Sequence, residues 1–400
     1  MTMSLPVLET CPKSMQIGPC GGVFADGGCE IRPGSACSFL DVTRAEVRRA
    51  AEVAFLPTPD QTAAGTSSAP VRPASRSRFK EVLDSGRFGI IAEVNGADSA
   101  DATEFVDSAK VVAGVTDIVS ITDHSGANVH MGNIAATAHL RAAGLDVMPT
   151  FGCRDRNRMA LQGDLLGAAS LGVRNALIVT GNHVEVGDSP DARAVFDLDS
   201  PRLLAIANRL RSEGLLDNGR SVDVAPDLFL GAVAHPFAPP LDDRARQALR
   251  KVRAGADFVI SQHIFDLPLW RSFVTEVNRL RVDEQPFHLL GGIAILPSEP
   301  IARAVNAGLR GFSIPEELLT RLRQARDPQD EGLEIAAELL VELMGTEGVS
   351  GCLLAPVTGR QNALTASVEQ AELITEVRRR AGLPVEHTTV QPVEKKEALV

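Results

Sequence analysis

The 400-residue sequence contains no tyrosine and one tryptophan, Trp270, and only 4% of its residues are aromatic. With so few large rings, composition offers no argument for an interface, and a homo-oligomer is left open. Cations are the minority, at 40 Lys and Arg against 51 Asp and Glu, for a net charge of -11. That excludes a protein that coats nucleic acid, because nothing would neutralise a phosphate backbone. Small anionic ligands stay open through local arginines. Long apolar runs are missing: stretches such as DLFLGAVA fall far short of the roughly 20 residues a bilayer helix needs, so no membrane partner is expected. The N-terminal residues lack both the basic and the apolar region of a secretory leader. A cytoplasmic, reducing location is expected.

What is present is an apolar chain, 44% hydrophobic with a mean hydropathy of +0.04, able to bury a large core. Six cysteines occur, and four of them, Cys11, Cys20, Cys29 and Cys37, fall close together with gaps of 8, 8 and 7 residues read directly from the sequence. In a reducing compartment such a cluster points to metal more than to disulfides. The Gly and Pro of GPCGGVFADGGCEIRPGSAC supply turns that aim thiolates at one point. The spacing is not the C-x-x-C of common zinc ribbons, so buried structural thiols are the competing reading. Tetrahedral zinc is the first choice and an iron-sulfur cluster the second. Cys153 and Cys352 read as core thiols.

Composition divides the chain into a cysteine-rich module at 1-56, a linker at 57-77, a long regular region at 78-383 and a polar tail at 384-400. The module ends in a helical pattern, DVTRAEVRRAAEVAFL, capped by Asp41 or Thr43. The linker is rich in Pro, Ser, Ala and Thr and has no apolar period, so it lets the two parts move. In the regular region, β-rich runs alternate with amphipathic helical stretches: GIIAEV, which carries Glu93, then 117-122, 146-151, 174-180, 227-233, 257-262, 287-293 and 351-356. Among the helical stretches are 101-114, 200-214, 243-255 and 328-345. Repeated strand-helix units imply a parallel sheet, and right-handed crossovers in that number close into a (β/α)8 TIM barrel. An open doubly wound sheet is disfavoured, because no G-x-G-x-x-G turn follows the first strand.

A barrel puts its chemistry at the C-terminal ends of its strands. This selects Glu93, Thr122, Asp123, Cys153, Arg154, Asn182, His235, Gln262 and Arg360 before any family is considered. Glu93 follows an apolar run, where a carboxyl loses water and its pKa rises, as suits a general acid near neutrality; a solvated loop carboxylate is the bland alternative. Arg154, Arg156 and Arg158 could clamp an anion, although an ion-pair network around a helix start is commoner. Arg250 and Lys251 are adjacent on a helix, which by itself usually marks a solvated face. His235 and His263 lack a second histidine at ligand spacing, so each reads as a hydrogen-bonded structural group.

The block CRDRNRMALQGDLLGAASLGVRNALIVTGNHVEVGDSPDARAVFDLDSPRLL resembles the methylenetetrahydrofolate reductase family, and CPKSMQIGPCGGVFADGGCEIRPGSAC resembles the cysteine-rich module known as that family's C-terminal domain, here at the front. The resemblance implies an FAD-holding barrel that transfers hydride between 5,10-methylenetetrahydrofolate and 5-methyltetrahydrofolate. It also implies a tetrahydrofolate substrate and NAD(P)H or a redox partner protein. It gives Glu93 the role of proton donor to the bridging nitrogen, Thr122, Gly181, Arg250 and Lys251 the flavin, Gln262 both substrates in turn, and Arg360 the folate. Three positions depart from the pattern: the proline pair after the glutamate is VNGADS, a flavin-contacting histidine is Thr150, and an aspartate near flavin and pterin is Asn182. Replacing that anion by an amide favours reduction of the flavin, since a unit charge about 4 Å away is worth roughly 4 kcal/mol at an effective dielectric near 20. The oxidative direction is therefore expected. A folate-binding methyltransferase or demethylase component without hydride chemistry is the alternative, and a scaffold docking an electron-transfer protein a third.

Overall fold

The computed structural model describes residues 11-16, 18-40, 76-281, 284-308, 313-357 and 363-384. The expected helix at 41-56, most of the linker, Arg360 and nearly all of the tail lie outside the described residues.

Eight parallel strands form one closed barrel in sequence order. They are β1 Gly89–Val94, β2 Ile118–Ile121, β3 Val147–Gly152, β4 Asn175–Val179, β5 Phe229–Ala234, β6 Phe258–His263, β7 His288–Ile295 and β8 Val349–Pro356. β8 closes on β1 through Gly89 opposite Gly351 and Ile91 opposite Leu353. Around it, in chain order, stand α1 Arg78–Asp84, α2 Thr103–Ala113, α3 Asn133–Ala142, α4 Arg158–Ser170, α5 Ser200–Glu213, α6 Arg244–Arg253, α7 Leu267–Leu280, α8 Glu299–Gly308, α9 Glu316–Gln324, α10 Pro328–Gly345 and α11 Ala363–Arg380. The expected (β/α)8 barrel is the observed one. The crossover from β7 to β8 is richer than expected, with α8 and α9 preceding α10; both are short, 10 and 9 residues against 18 for α10.

Strand alternation explains the two cores. Ile90, Ala92 and Val94 of β1 turn outward and meet Phe105, Ala109 and Val112 of α2, a set spaced to lie on one helix face. Ile91 turns inward with Ile118, Met148, Leu177, Phe229, Phe258 and Leu290. One residue type in each strand position therefore decides which core it feeds.

The floor of the barrel is α1. Ser77 caps it, accepting a hydrogen bond from the Lys80 amide at 3.0 Å, and Phe79 and Leu83 enter the inner core. Phe79 meets Phe258 edge-on at 5.9 Å and Phe229 at 6.4 Å. Gly231 is glycine because a Cβ there would lie 2.1 Å from the Phe258 ring. The last residues of the expected linker are thus part of the barrel floor.

The opposite end, the mouth, carries the cysteine-rich module. Its described residues hold no helix, only isolated bridges pairing Val23 with Cys29 and Gly28 with Ala36. They wrap a small core of Met15, Val23, Cys37 and Phe39. Two groups seat it. Asp199, the cap of α5, accepts from the Arg202 amide and, through its other oxygen, from the Gln16 amide at 3.0 Å. Arg244 of α6 donates to the carbonyls of Pro19 and Cys20 at 3.4 and 3.3 Å.

Candidate active site

The inward stripes of β1 to β6 each end in a polar or small residue at the mouth. Following Ile91 inward by two gives Glu93; Ser120 gives Thr122, Met148 gives Thr150, Val179 gives Gly181, Val233 gives His235 and Ile260 gives Gln262. All six line one cavity of about 700 Å³, inside the size range of ligand sites. Asp123, Arg154, Asn182, Arg250 and Lys251 share its walls.

Glu93 is half-buried, and among the described residues its carboxyl group has no hydrogen-bond or ionic partner. Loss of water alone pushes its pKa up to about 7. A carboxyl group that is close to half protonated at neutral pH can both give and accept a proton. Thr122 is buried, and its hydroxyl donates to Asn95 Oδ1 at 2.9 Å. Asn95 belongs to the loop that stands where the family pattern has prolines, so that loop fixes the threonine rotamer. Thr150 is buried beside it. Gly181 takes φ of +93°, which places its backbone where a side chain would be strained.

The cationic wall comes from α6. Lys251 is half-buried; its ammonium donates to the Val233 carbonyl at 2.5 Å, no carboxylate pairs with it among the described residues, and desolvation, with Arg244 nearby, lowers its pKa to about 8. Arg250 is buried but is held by both oxygens of Asp243, at 3.1 and 3.3 Å. The imidazole of His235 is kept neutral by desolvation and by Lys251 and Arg244, and among the described residues its Nδ1 has no hydrogen-bond partner. The reading of His235 as a hydrogen-bonded structural group is corrected: the β5 stripe delivers it to the cavity unsatisfied. The arginine run follows the commoner outcome. Arg154 pairs with Asp155, Arg156 with Asp123 and Asp164, and Arg158 with Asp197 and Asp217. Cys153 is buried in the outer core, and Cys352 is buried likewise.

Asn182 is exposed at the cavity rim, with its backbone carbonyl accepting from Arg154 at 3.4 Å. This corrects the charge argument made from sequence: at a solvated rim the dielectric is closer to that of water, and the same charge is worth about 1 kcal/mol.

The four clustered cysteines share one small hollow. Cys11 accepts backbone N–H groups of Lys13 and Met15, Cys20 that of Gly22 at 3.4 Å, and Cys37 that of Phe39. Burial raises the thiol pKa of Cys11, and that of Cys37 to about 11. The tetrahedral zinc or iron-sulfur site expected from the spacing is not supported: burial disfavours the thiolates, and among the described residues no three His, Cys, Asp or Glu side chains are grouped to hold a metal ion. No described helix is long and apolar enough to cross a membrane.

Residues 78–355 match the family model described as methylenetetrahydrofolate reductase. The chain belongs to the methylenetetrahydrofolate reductase family. Residues 2–59 match a second model, described as methylene-tetrahydrofolate reductase C terminal. A curated relative, a probable methylenetetrahydrofolate reductase (NADPH) of Caenorhabditis elegans, is 26% identical over 231 residues, 56% of this chain. The match spans only 32% of that relative's length. Among solved structures, an uncharacterised protein from Clostridium thermocellum that binds two copies of 5-methyl-5,6,7,8-tetrahydrofolic acid shares the fold, with a TM-score of 0.51 and 16% identity over 74% of this chain and 99% of its own.

A flavin nucleotide suits this cavity on two observations: the ammonium of Lys251, which has no carboxylate partner among the described residues, and the left-handed turn at Gly181. Arg250 would have to exchange Asp243 for a phosphate.

Reasoning from sequence missed the module's share of the cavity. Lys13, Gly18, Pro19, Cys20, Gly21, Gly22 and Glu30 line it together with the barrel. The signal was the glycine density of GPCGG, which the cysteines alone had been taken to explain.

Proposed function

We propose that this protein interconverts 5,10-methylenetetrahydrofolate and 5-methyltetrahydrofolate as a flavin-dependent oxidoreductase; with Asn182 at a solvated rim, its lost charge no longer argues for the oxidative direction. The observation that carries the reading is Glu93, a desolvated carboxyl group without a partner at the mouth of the barrel, with its pKa near neutrality. Family membership and the folate-binding barrel from Clostridium thermocellum support the substrate class.

In the reductive direction the protonated carboxyl of Glu93 gives its proton to the bridging N10, which opens the five-membered ring and leaves an iminium at N5. In the oxidative direction the Glu93 carboxylate takes the N10 proton as the ring closes. Gln262, on the inward stripe of β6, orients the substrate by hydrogen bonding, and Arg360 follows β8 in the chain and is assigned to the folate on the family pattern. FAD would be held by Thr122, Thr150, Gly181, Asn182, Arg250 and Lys251, and when bound it supplies the hydride acceptor and donor. Lys251 and Arg250 offset phosphate charge, and Thr122, pinned by Asn95, presents a fixed hydroxyl. The electron partner is NAD(P)H, as the name of the curated relative suggests, or a redox protein.

The test is to purify the protein, release and identify any bound flavin, and mix the protein anaerobically with 5-methyltetrahydrofolate. Bleaching of the yellow colour with formation of the methylene compound is expected. Colourless protein, or flavin indifferent to the folate, would overturn the reading. For Cys11, Cys20, Cys29 and Cys37 the reading is packing thiols, since among the described residues they are not grouped to hold a metal ion; metal analysis of the purified protein tests this, and stoichiometric zinc or iron would overturn it.

A further inference from the structure

The cysteine hollow and the barrel cavity have a common wall. Lys13, Cys20, Gly22 and Glu30 face both. Lys13 and Glu30 form an ion pair whose side chains are each 6% exposed, so the wall carries a buried, charge-neutral pair rather than a solvated surface. Its outer half, 18-22, is pressed against the ligand-facing elements. A Cβ on Gly21 would lie 2.1 Å from Nδ1 of His235, and one on Gly18 would lie 3.4 Å from Gln247 and 3.6 Å from Arg250. Arg244 clamps the same segment by the Pro19 and Cys20 carbonyls. His235 and Lys251 both line the cavity beside that segment: among the described residues His235 Nδ1 has no hydrogen-bond partner and Lys251 no carboxylate partner.

We propose that the cysteine-rich module is a working part of the ligand site: 18-22 with Lys13 and Glu30 walls the cavity over the ends of β4 and β5, and the four thiols hold that wall in place. Occupancy of the cavity and the chemistry of the thiols are then coupled. Coupling between sites is reciprocal, so a ligand that fastens the wall must protect the cysteines, and a wall that is loosened must weaken the ligand. The inference rests on the folate reading only for the choice of probe.

The experiment uses the whole chain and measures iodoacetamide modification of Cys11, Cys20, Cys29 and Cys37 by mass spectrometry, with and without saturating 5-methyltetrahydrofolate. Slowing by at least about fivefold is expected, the lower end of usual coupling between sites. Gly21→Ala, which drives a methyl group into His235, raises the modification rate and weakens folate binding by calorimetry by about the same factor or more, with far-ultraviolet dichroism unchanged. Adding His235→Ala makes room for that methyl group and restores the low modification rate, which separates unseating of the wall from general misfolding. Full folate affinity in Gly21→Ala with its thiols exposed overturns the proposal while leaving the folate reading intact. If the folate does not bind the unaltered protein, the folate reading falls, and protection is measured with FAD. Protection by FAD supports the shared wall, and its absence overturns it.

Discussion

Replacing Glu93 by glutamine removes one ionisable group and almost no volume, so its consequences follow from the displaced pKa. Burial raises that pKa from 4.5 to about 7. At about 1.4 kcal/mol per unit, this is at most about 3 kcal/mol of unfavourable ionisation in the folded state. The sign follows from proton binding. Below the unfolded pKa both states are protonated and the cost is absent. As pH rises through the interval the unfolded chain ionises first, and stability falls until the folded group ionises as well. Glu93→Gln is therefore neutral at about pH 4 and stabilising at about pH 8.5. The gain in midpoint of thermal unfolding is roughly 5 °C. Turnover moves the other way, falling by about 100-fold or more, the usual worth of a positioned proton donor. The unaltered protein also carries a directional signature: methylene reduction uses the acid and slows as pH passes about 7, whereas methyl oxidation uses the carboxylate and quickens. Thermal melts at both pH values, with rate profiles in both directions, test this. A stability gain of equal size at low and high pH, or a rate flat across neutrality, would refute it.

Phe79→Ala takes out the floor of the barrel beneath Phe229 and Phe258, and is expected to cost about 3 to 5 kcal/mol, read by chemical denaturation; a loss under about 1 kcal/mol would mean that α1 is not a plug. Asp257→Asn leaves Arg211 buried without its bidentate partner and is expected to cost about 3 to 5 kcal/mol, whereas the exposed pair of Arg303 and Glu299 can be broken for less than about 1 kcal/mol. Asn182→Asp is expected to lower the two-electron potential of bound flavin by only about 20 mV, because the position is solvated; a shift several times larger in a redox titration would mean that a bound ligand dries the rim.

Alternation at period two fixes which face of a strand each residue takes, and that much is local. GIIAEV sends Glu93 to the inside once Ile91 is there, and the same count carries Thr122, Thr150 and Gln262 to the mouth. Strand count and crossover handedness then leave little choice but closure, so barrel and catalytic candidate were both readable in one dimension. His235 obeyed the same count and was still misjudged, because a histidine's lack of a hydrogen-bond partner depends on what the rest of the chain brings near it. Asn182 was misjudged for the converse reason: identity predicts charge, and only exposure sets the dielectric through which charge acts.

The linear order of residues determined the barrel and the place of Glu93 at its mouth, since each depends on short-range periodicity or spacing. Tertiary structure alone decided that Lys13, Glu30 and Gly21 belong to the same cavity as Lys251 and His235. Those contacts join positions more than two hundred residues apart, and no local pattern encodes which surface a glycine-rich loop will meet.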